Sequence, residues 1–135
     1  MANKSYEILD HPSDVRVRVF GDTKEELFSN AMRGMNEVLK SVSLKKAVNQ
    51  RVVVNSFDLN ALLVDFLSEV LYLSQVNKEI YTDIKFNKFS DKELEGELIG
   101  NTIESFAEDI KAVTYHDLKI EKKDGLYEAT ILFDI

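Results

Sequence analysis

The 135-residue sequence has no cysteine and no tryptophan, one proline, two histidines and five glycines. Without cysteine there is no disulfide, no thiolate metal site and no cysteine nucleophile. The glycines are scattered singly, so the chain has neither a GxGxxG string nor a phosphate-cradling P-loop. Also missing are a Gly-x-Ser-x-Gly nucleophile elbow and a His-Glu-x-x-His zinc pair. No apolar run is expected to reach the ~18 residues of a membrane span, and no basic-then-apolar leader is present. The expectation is a cytoplasmic protein that does not engage a membrane. Repeats, low-complexity tracts and Pro/Gly linkers are absent too, so residues 1–135 are expected to form a single domain.

Positive charge is scarce. Seventeen Lys and Arg face 24 Asp and Glu, for a formal net charge of −7. An acidic chain repels phosphate backbones unless its cations cluster. Lys45-Lys46, Lys119 and Lys122-Lys123 are short runs set apart along the chain. Direct tight nucleic-acid binding is therefore disfavoured, and a basic protein partner fits better.

What the chain does contain is patterned. Tyr6 to Leu9 and Val15 to Phe20 read as strands, the second alternating apolar and basic residues. Thr23 and Glu26 form a Thr-x-x-Glu capping box, followed by Leu27, Phe28, Ala31, Met32, Met35, Val38 and Leu39 at helical spacing. Gln50 to Asn55 reads as a strand, and Asp58 as the N-cap of a second helix. That helix carries Leu59, Leu62, Leu63, Phe66, Leu67, Val70 and Leu71. Ile80 to Phe89 and Leu94 to Ile99 alternate around Ser90-Asp91, the pattern of a hairpin. Asn101 to Asp109 is expected to be a short helix or loop, and Lys111 onward a strand bearing His116. Leu118 to Ile120 and Tyr127 to Phe133 flank Lys123-Asp124-Gly125, a strong hairpin signal. The fold class is α+β, with two principal helices packed on a largely antiparallel sheet.

The scarce chemistry gathers at the two ends of the chain. Both histidines and the proline fall in Leu9-Asp10-His11-Pro12-Ser13-Asp14-Val15 and Lys111-Ala112-Val113-Thr114-Tyr115-His116, and the sequence closes on Phe133-Asp134-Ile135. Asp134 and the terminal carboxylate of Ile135 lie one residue apart. If Asp14 approaches them, three negative groups share one volume, and two charges 4 Å apart repel by about 4 kcal/mol at an effective dielectric near 20. Such a cluster disperses into solvent, raises a pKa or binds a cation. Hard oxygen ligands favour Ca²⁺, Mg²⁺ or Mn²⁺, and an added imidazole admits Zn²⁺. For each residue a plainer role also stands: Asp14 as a turn residue, Asp134 and Ile135 as a solvated tail, His116 as a hydrogen-bonded strand histidine and Lys111 as a surface cation.

These strings, with Glu69-x-Leu71-Tyr72-Leu73 at the end of the second helix, resemble the archease family over essentially the full length. The resemblance implies an archease-like fold and an accessory protein rather than a stand-alone enzyme. Its partner would be the GTP-dependent RNA ligase of tRNA splicing and RNA repair. That ligase joins a 2′,3′-cyclic-phosphate or 3′-phosphate end to a 5′-hydroxyl end through a guanylylated histidine. The accessory protein would promote guanylylation and turnover. The implied metal site is Asp14, Asp134 and Ile135, the last through its terminal carboxylate. By ligand type Ca²⁺ comes first, with Mg²⁺, Mn²⁺ or Zn²⁺ as alternatives. His11, Lys111 and His116 match motif positions and are further candidates. Two departures stand out: Pro12-Ser13 replaces the usual Thr-Ala, and Arg16 replaces a small residue. The competing readings are a metal-dependent hydrolase with His116 as base, and a chaperone-like protein-binding module.

Overall fold

A computed structural model describes residues 5–9 and 14–135. Helix starts follow cap chemistry. Thr23 Oγ1 accepts the Glu26 N–H at 3.0 Å, opening α1 (Lys24–Leu39). The Glu26 carboxylate reaches back to the Asp22 N–H at 3.2 Å, one residue beyond its capping-box partner. Asp58 accepts the Ala61 N–H at 2.8 Å and opens α2 (Leu59–Asn77). Lys40 and Lys78 end the two helices in left-handed conformation, each returning its N–H to a carbonyl of the last turn.

The strands are β1 (Tyr6–Leu9), β2 (Asp14–Gly21), β3 (Ser41–Asn55), β4 (Glu79–Phe89), β5 (Glu93–Phe106), β6 (Ala112–Thr114), β7 (Glu121–Lys123) and β8 (Leu126–Asp134). They divide into two antiparallel sheets. One runs β1-β2-β8-β6, with β7 also paired to β8, and the other runs β3-β5-β4. The helices join them: α1 packs on β2 and reaches β4, while α2 touches β3, β4 and β6. Arg33 Nε and Asn36 Nδ2 of α1 donate to the carbonyls of Thr82 (3.0 Å) and Tyr81 (2.6 Å), tying the helix to β4. One continuous core results, with Phe28, Met32, Phe66, Leu67 and Phe133 fully buried.

Against expectation, α2 is long and apolar enough to cross a membrane, judged by length and composition. Its burial explains the composition instead. Nine of its residues, from Ala61 to Ser74, are buried by the sheets and α1, which makes it the central core helix.

Several boundaries differ from the sequence reading. β3 begins at Ser41 rather than Gln50, and β5 continues to Phe106 where a helix or loop was expected at 101–109. These extensions pair with each other, Ser41 opposite Phe106 and Leu44 opposite Ile103. Residues 41–47 of β3 are exposed on both faces, and within 101–106 of β5 only Ile103 is buried, so no alternation marks them. Asn101 and Thr102 side chains bond the Lys45 carbonyl and the Lys46 N–H across that ribbon. β6 is only three residues long, so His116 lies in the turn after it rather than on a strand. Residues 118–120 likewise form no strand. Asp124 and Gly125 both take positive φ (53° and 78°), as the two-residue hairpin turn requires.

Candidate functional site

Three strands meet at the candidate site. β2 and β8 run antiparallel with Asp14 opposite Asp134, Val15 opposite Phe133 and Val17 opposite Ile131. Val17, Val19, Ala129, Ile131 and Phe133 are buried beneath the sheet. Strand alternation therefore sends Asp14, Arg16, Arg18, Thr130, Leu132 and Asp134 to the other face. Directly opposed residues on one face hold their Cβ atoms about 4.5–5.5 Å apart. The structure thus brings Asp14 and Asp134 side by side.

Further contacts hold the pair in place. On the far side of β8, Ala112 of β6 stands opposite Asp134. The Lys111 N–H donates to the Asp134 carbonyl at 2.7 Å. Asp134 is thereby held from both flanks although it is the last strand residue. Its side chain is exposed, whereas Asp14 is half-buried with Oδ1 closed off from solvent. Ile135 follows directly and is 42% exposed.

Lys111 is exposed beside the pair and contributes the backbone bond just described. His116 Nε2 sits 3.1 Å from Asp117 Oδ2, in a groove of about 250 Å³ whose lining includes Leu9, Arg16, Arg18, Thr130 and Leu132. Thr130 and Leu132 lie four and two residues before Asp134, so this groove opens on the face of β8 that carries the acid pair. Arg16, two residues from Asp14, shares the face and stands opposite Leu132 and Leu9. His11 lies outside the described residues.

Among the described residues, no group of three or more His, Cys, Asp or Glu side chains gathers to hold a metal ion. The two opposed carboxylates still match a hard divalent cation in donor type. Two like charges opposed across strands are mutually destabilising, and a bound cation is one way to offset them.

Sequence reading missed how the turn carrying His116 is anchored. The Tyr115 hydroxyl donates to Asp65 of α2, which also accepts from Ser56 Oγ at 2.5 Å. Ile120 N–H donates to Asn60 Oδ1 at 3.1 Å. The partners are 50 and 60 residues apart in sequence, so no local signal marks them. The neighbouring depression, of about 440 Å³, holds ion pairs of Glu128 with Arg18 (3.8 Å) and Lys123 (3.6 Å).

Residues 6–135 match the model of the archease protein family (MTH1598/TM1083). The chain is 34% identical over 141 residues to the protein archease of Methanosarcina mazei, covering 98% of this chain and 97% of that protein. It is 38% identical over 135 residues to the protein archease of Thermoplasma acidophilum, with 97% and 94% covered. The crystal structure of a Thermotoga maritima archease, described there as a possible chaperone, superposes with a TM-score of 0.72. It covers 99% of this chain and 100% of that one, at 19% identity, a likeness of fold. The chain belongs to the archease family.

Proposed function

We propose that this archease is a non-catalytic activator of a GTP-dependent RNA ligase of tRNA splicing and RNA repair, promoting the ligase's guanylylation and turnover in the cytoplasm. The observation that carries this reading is the opposition of Asp14 and Asp134 across β2 and β8, in a chain matched to its family from residue 6 to 135. In this reading Asp14, Asp134 and the carboxylate at Ile135 hold a divalent cation, Ca²⁺ first by ligand type and Mg²⁺, Mn²⁺ or Zn²⁺ otherwise. A bound ion of this kind supplies a positive centre that orients phosphate oxygens. The chain's own part is positional. β2 and β8 present the two carboxylates from paired strands, and the Lys111 N–H holds the Asp134 backbone against the strand end.

The test is RNA joining by the cognate ligase at limiting enzyme, with and without this protein. Asp14→Asn keeps the side chain's size and removes its charge. It should lower ligase guanylylation or turnover while the ligase alone retains its basal rate. Phosphoester turnover by the isolated archease that vanishes in Asp14→Asn would transfer the reading to a metal-dependent hydrolase. Full activation by Asp14→Asn would leave the acid pair without a role in activation, and a ligase rate unchanged by the wild-type protein would favour the chaperone-like reading.

A further inference from the structure

The central helix is covered on one side only. The sheets and α1 bury Leu62, Phe66 and Val70 among others, yet half of the apolar stretch of α2 stays outside the core. Helical spacing sets the outward side. Asp65, Ser68, Glu69, Tyr72 and Val76 fall at i, i+3, i+4, i+7 and i+11, one face about 16 Å long. Ser68, Tyr72 and Val76 are exposed, and Asp65 and Glu69 are half-buried. Tyr115 joins this face from the turn after β6, its hydroxyl donating to Asp65.

Apolar exposure concentrates here. Among the described residues, five large apolar side chains are more than half exposed: Leu44, Phe57, Tyr72, Val76 and Tyr115. Four of these five lie on α2, against it or immediately before its cap. Tyr72 and Val76 are one turn apart on the helix, Tyr115 is tied to Asp65, and Phe57 precedes the cap residue Asp58. Exposed apolar residues scattered singly are ordinary, whereas a group on one element marks a contact surface.

Charge indicates the occupant. Residues 52–77 contain no Lys or Arg, and their acids are Asp58, Asp65 and Glu69. Asp58 is engaged as the helix cap. Asp65 accepts from the hydroxyls of Tyr115 and Ser56, and neither Asp65 nor Glu69 pairs with a cation among the described residues. A surface that lays apolar residues on Tyr72 and Val76 and brings Lys or Arg to these carboxylates meets both features. Arg also stacks favourably on tyrosine rings. A second copy of the chain would bring two more uncompensated carboxylates and another net charge of −7. Phosphate-bearing ligands and anionic membranes are repelled by the same charges.

We propose that the outward face of α2, with Tyr115, docks a partner-protein segment that is apolar at its centre and flanked by Lys or Arg. This does not depend on the acid pair of β2 and β8. The test uses the full chain, ¹⁵N-labelled, titrated with a short amphipathic peptide of Leu and Arg at helical spacing. Controls of equal length are a Leu-Glu peptide of the same pattern and an Arg-Ser peptide, which carries the charge without the apolar face. An oligouridylate and phosphatidylcholine vesicles test other occupants. Amide shifts should centre on Ser68, Glu69, Tyr72, Val76 and Tyr115. The Arg-Ser peptide should bind about tenfold more weakly, and the other three additions should leave these amides unmoved. Tyr72→Ser with Val76→Ser removes the exposed apolar contact and should weaken Leu-Arg binding by about tenfold. If that pair also lowers the melting temperature, Glu69→Lys decides, and it should weaken binding by about the same factor. The proposal is overturned by shifts that map elsewhere, by no binding at millimolar peptide, or by binding that survives both variants. Equal binding of either control peptide would also overturn it. So would saturable binding of oligouridylate or vesicles at these residues, or a homodimer that Tyr72→Ser with Val76→Ser dissolves.

Discussion

Asp134→Asn removes one of two charges that strand register places side by side, so its effect on stability should change sign with cation. The opposed side chains stand about 5 Å apart. Two unit charges at that distance repel by about 3 kcal/mol at an effective dielectric near 20, and by about 0.8 kcal/mol in a water-like one. Asp134 is exposed, which selects the lower figure. In chelator, the asparagine variant should therefore be more stable than wild type by about 0.5–1 kcal/mol. That gain raises the melting temperature of a chain this size by roughly 2–4 °C. The backbone bond from Lys111 to the Asp134 carbonyl is untouched by the substitution. In 1 M KCl, where the screening length is about 3 Å, the gain should shrink. With a cation at a hundred times its Kd, wild type should gain about 2.7 kcal/mol through linkage. The variant should gain much less and fall below wild type. Paired thermal melts in chelator and in Ca²⁺ or Mg²⁺ read both effects. A variant that is destabilised in chelator, or that responds to cation as fully as wild type, would refute the reasoning.

Other outcomes follow from single contacts. A Cβ at Gly100 would lie 1.8 Å from the Ile80 carbonyl oxygen, so Gly100→Ala should cost more than about 4 kcal/mol or prevent folding, read as a lowered denaturant midpoint or lost soluble yield. Burial, helped by the hydrogen bond its hydroxyl donates to Glu79, pushes the Tyr81 pKa up to about 12. The unfolded chain ionises this tyrosine near pH 10, so its contribution is intact below pH 10 and is lost as pH rises through about 12. Alkaline denaturation of Tyr81→Phe should show a shallower loss over that window, and an unchanged slope would count against the assignment. In the proposed cation site Ile135 supplies a terminal carboxylate, and extending the chain past it replaces that donor with a neutral amide. Calorimetry should show weaker divalent-cation binding at an unchanged melting temperature in chelator, and equal affinity would remove Ile135 from the donor set.

The helices were legible because their signals are local. A cap residue and an apolar stripe lie within one stretch, and Thr23, Asp58 and both stripes fall where those rules put them. The Asp124-Gly125 turn was legible for the same reason. What escaped was structure with little buried surface. The first half of β3 is exposed on both faces and the last part of β5 buries Ile103 alone, so neither carries an alternation to read. The division into two sheets escaped as well, because α1 and α2 join them through contacts distant in sequence, such as Arg33 to Thr82. The acid pair was legible only in part. Each aspartate could be seen at a strand end, but their meeting depends on which strand pairs with which, and only the family resemblance spoke to that.

The same dependence shows why the pair is well specified in the folded chain. Every second residue of β8 from Ala129 to Phe133 is buried, and Val17 and Val19 of β2 are buried opposite it. Sliding β8 by one residue would carry Ala129, Ile131 and Phe133 into solvent and bring Thr130, Leu132 and Asp134 to the core. Fully burying a side chain such as Ile or Phe is worth about 1.5–3 kcal/mol, so the slipped register loses several kcal/mol before the buried carboxylate is counted. Two charges that repel are thus held together by apolar residues on the opposite side of the same strands. Asp14 and Asp134 contribute nothing favourable to that register themselves. Mutations that loosen it from below, such as Phe133→Ala, should therefore weaken binding at the proposed cation site without touching a carboxylate. Phe133→Ala should also cost about 3–5 kcal/mol of stability. Retained cation affinity in a folded Phe133→Ala protein would show that the pair is positioned by something other than the register of β2 and β8.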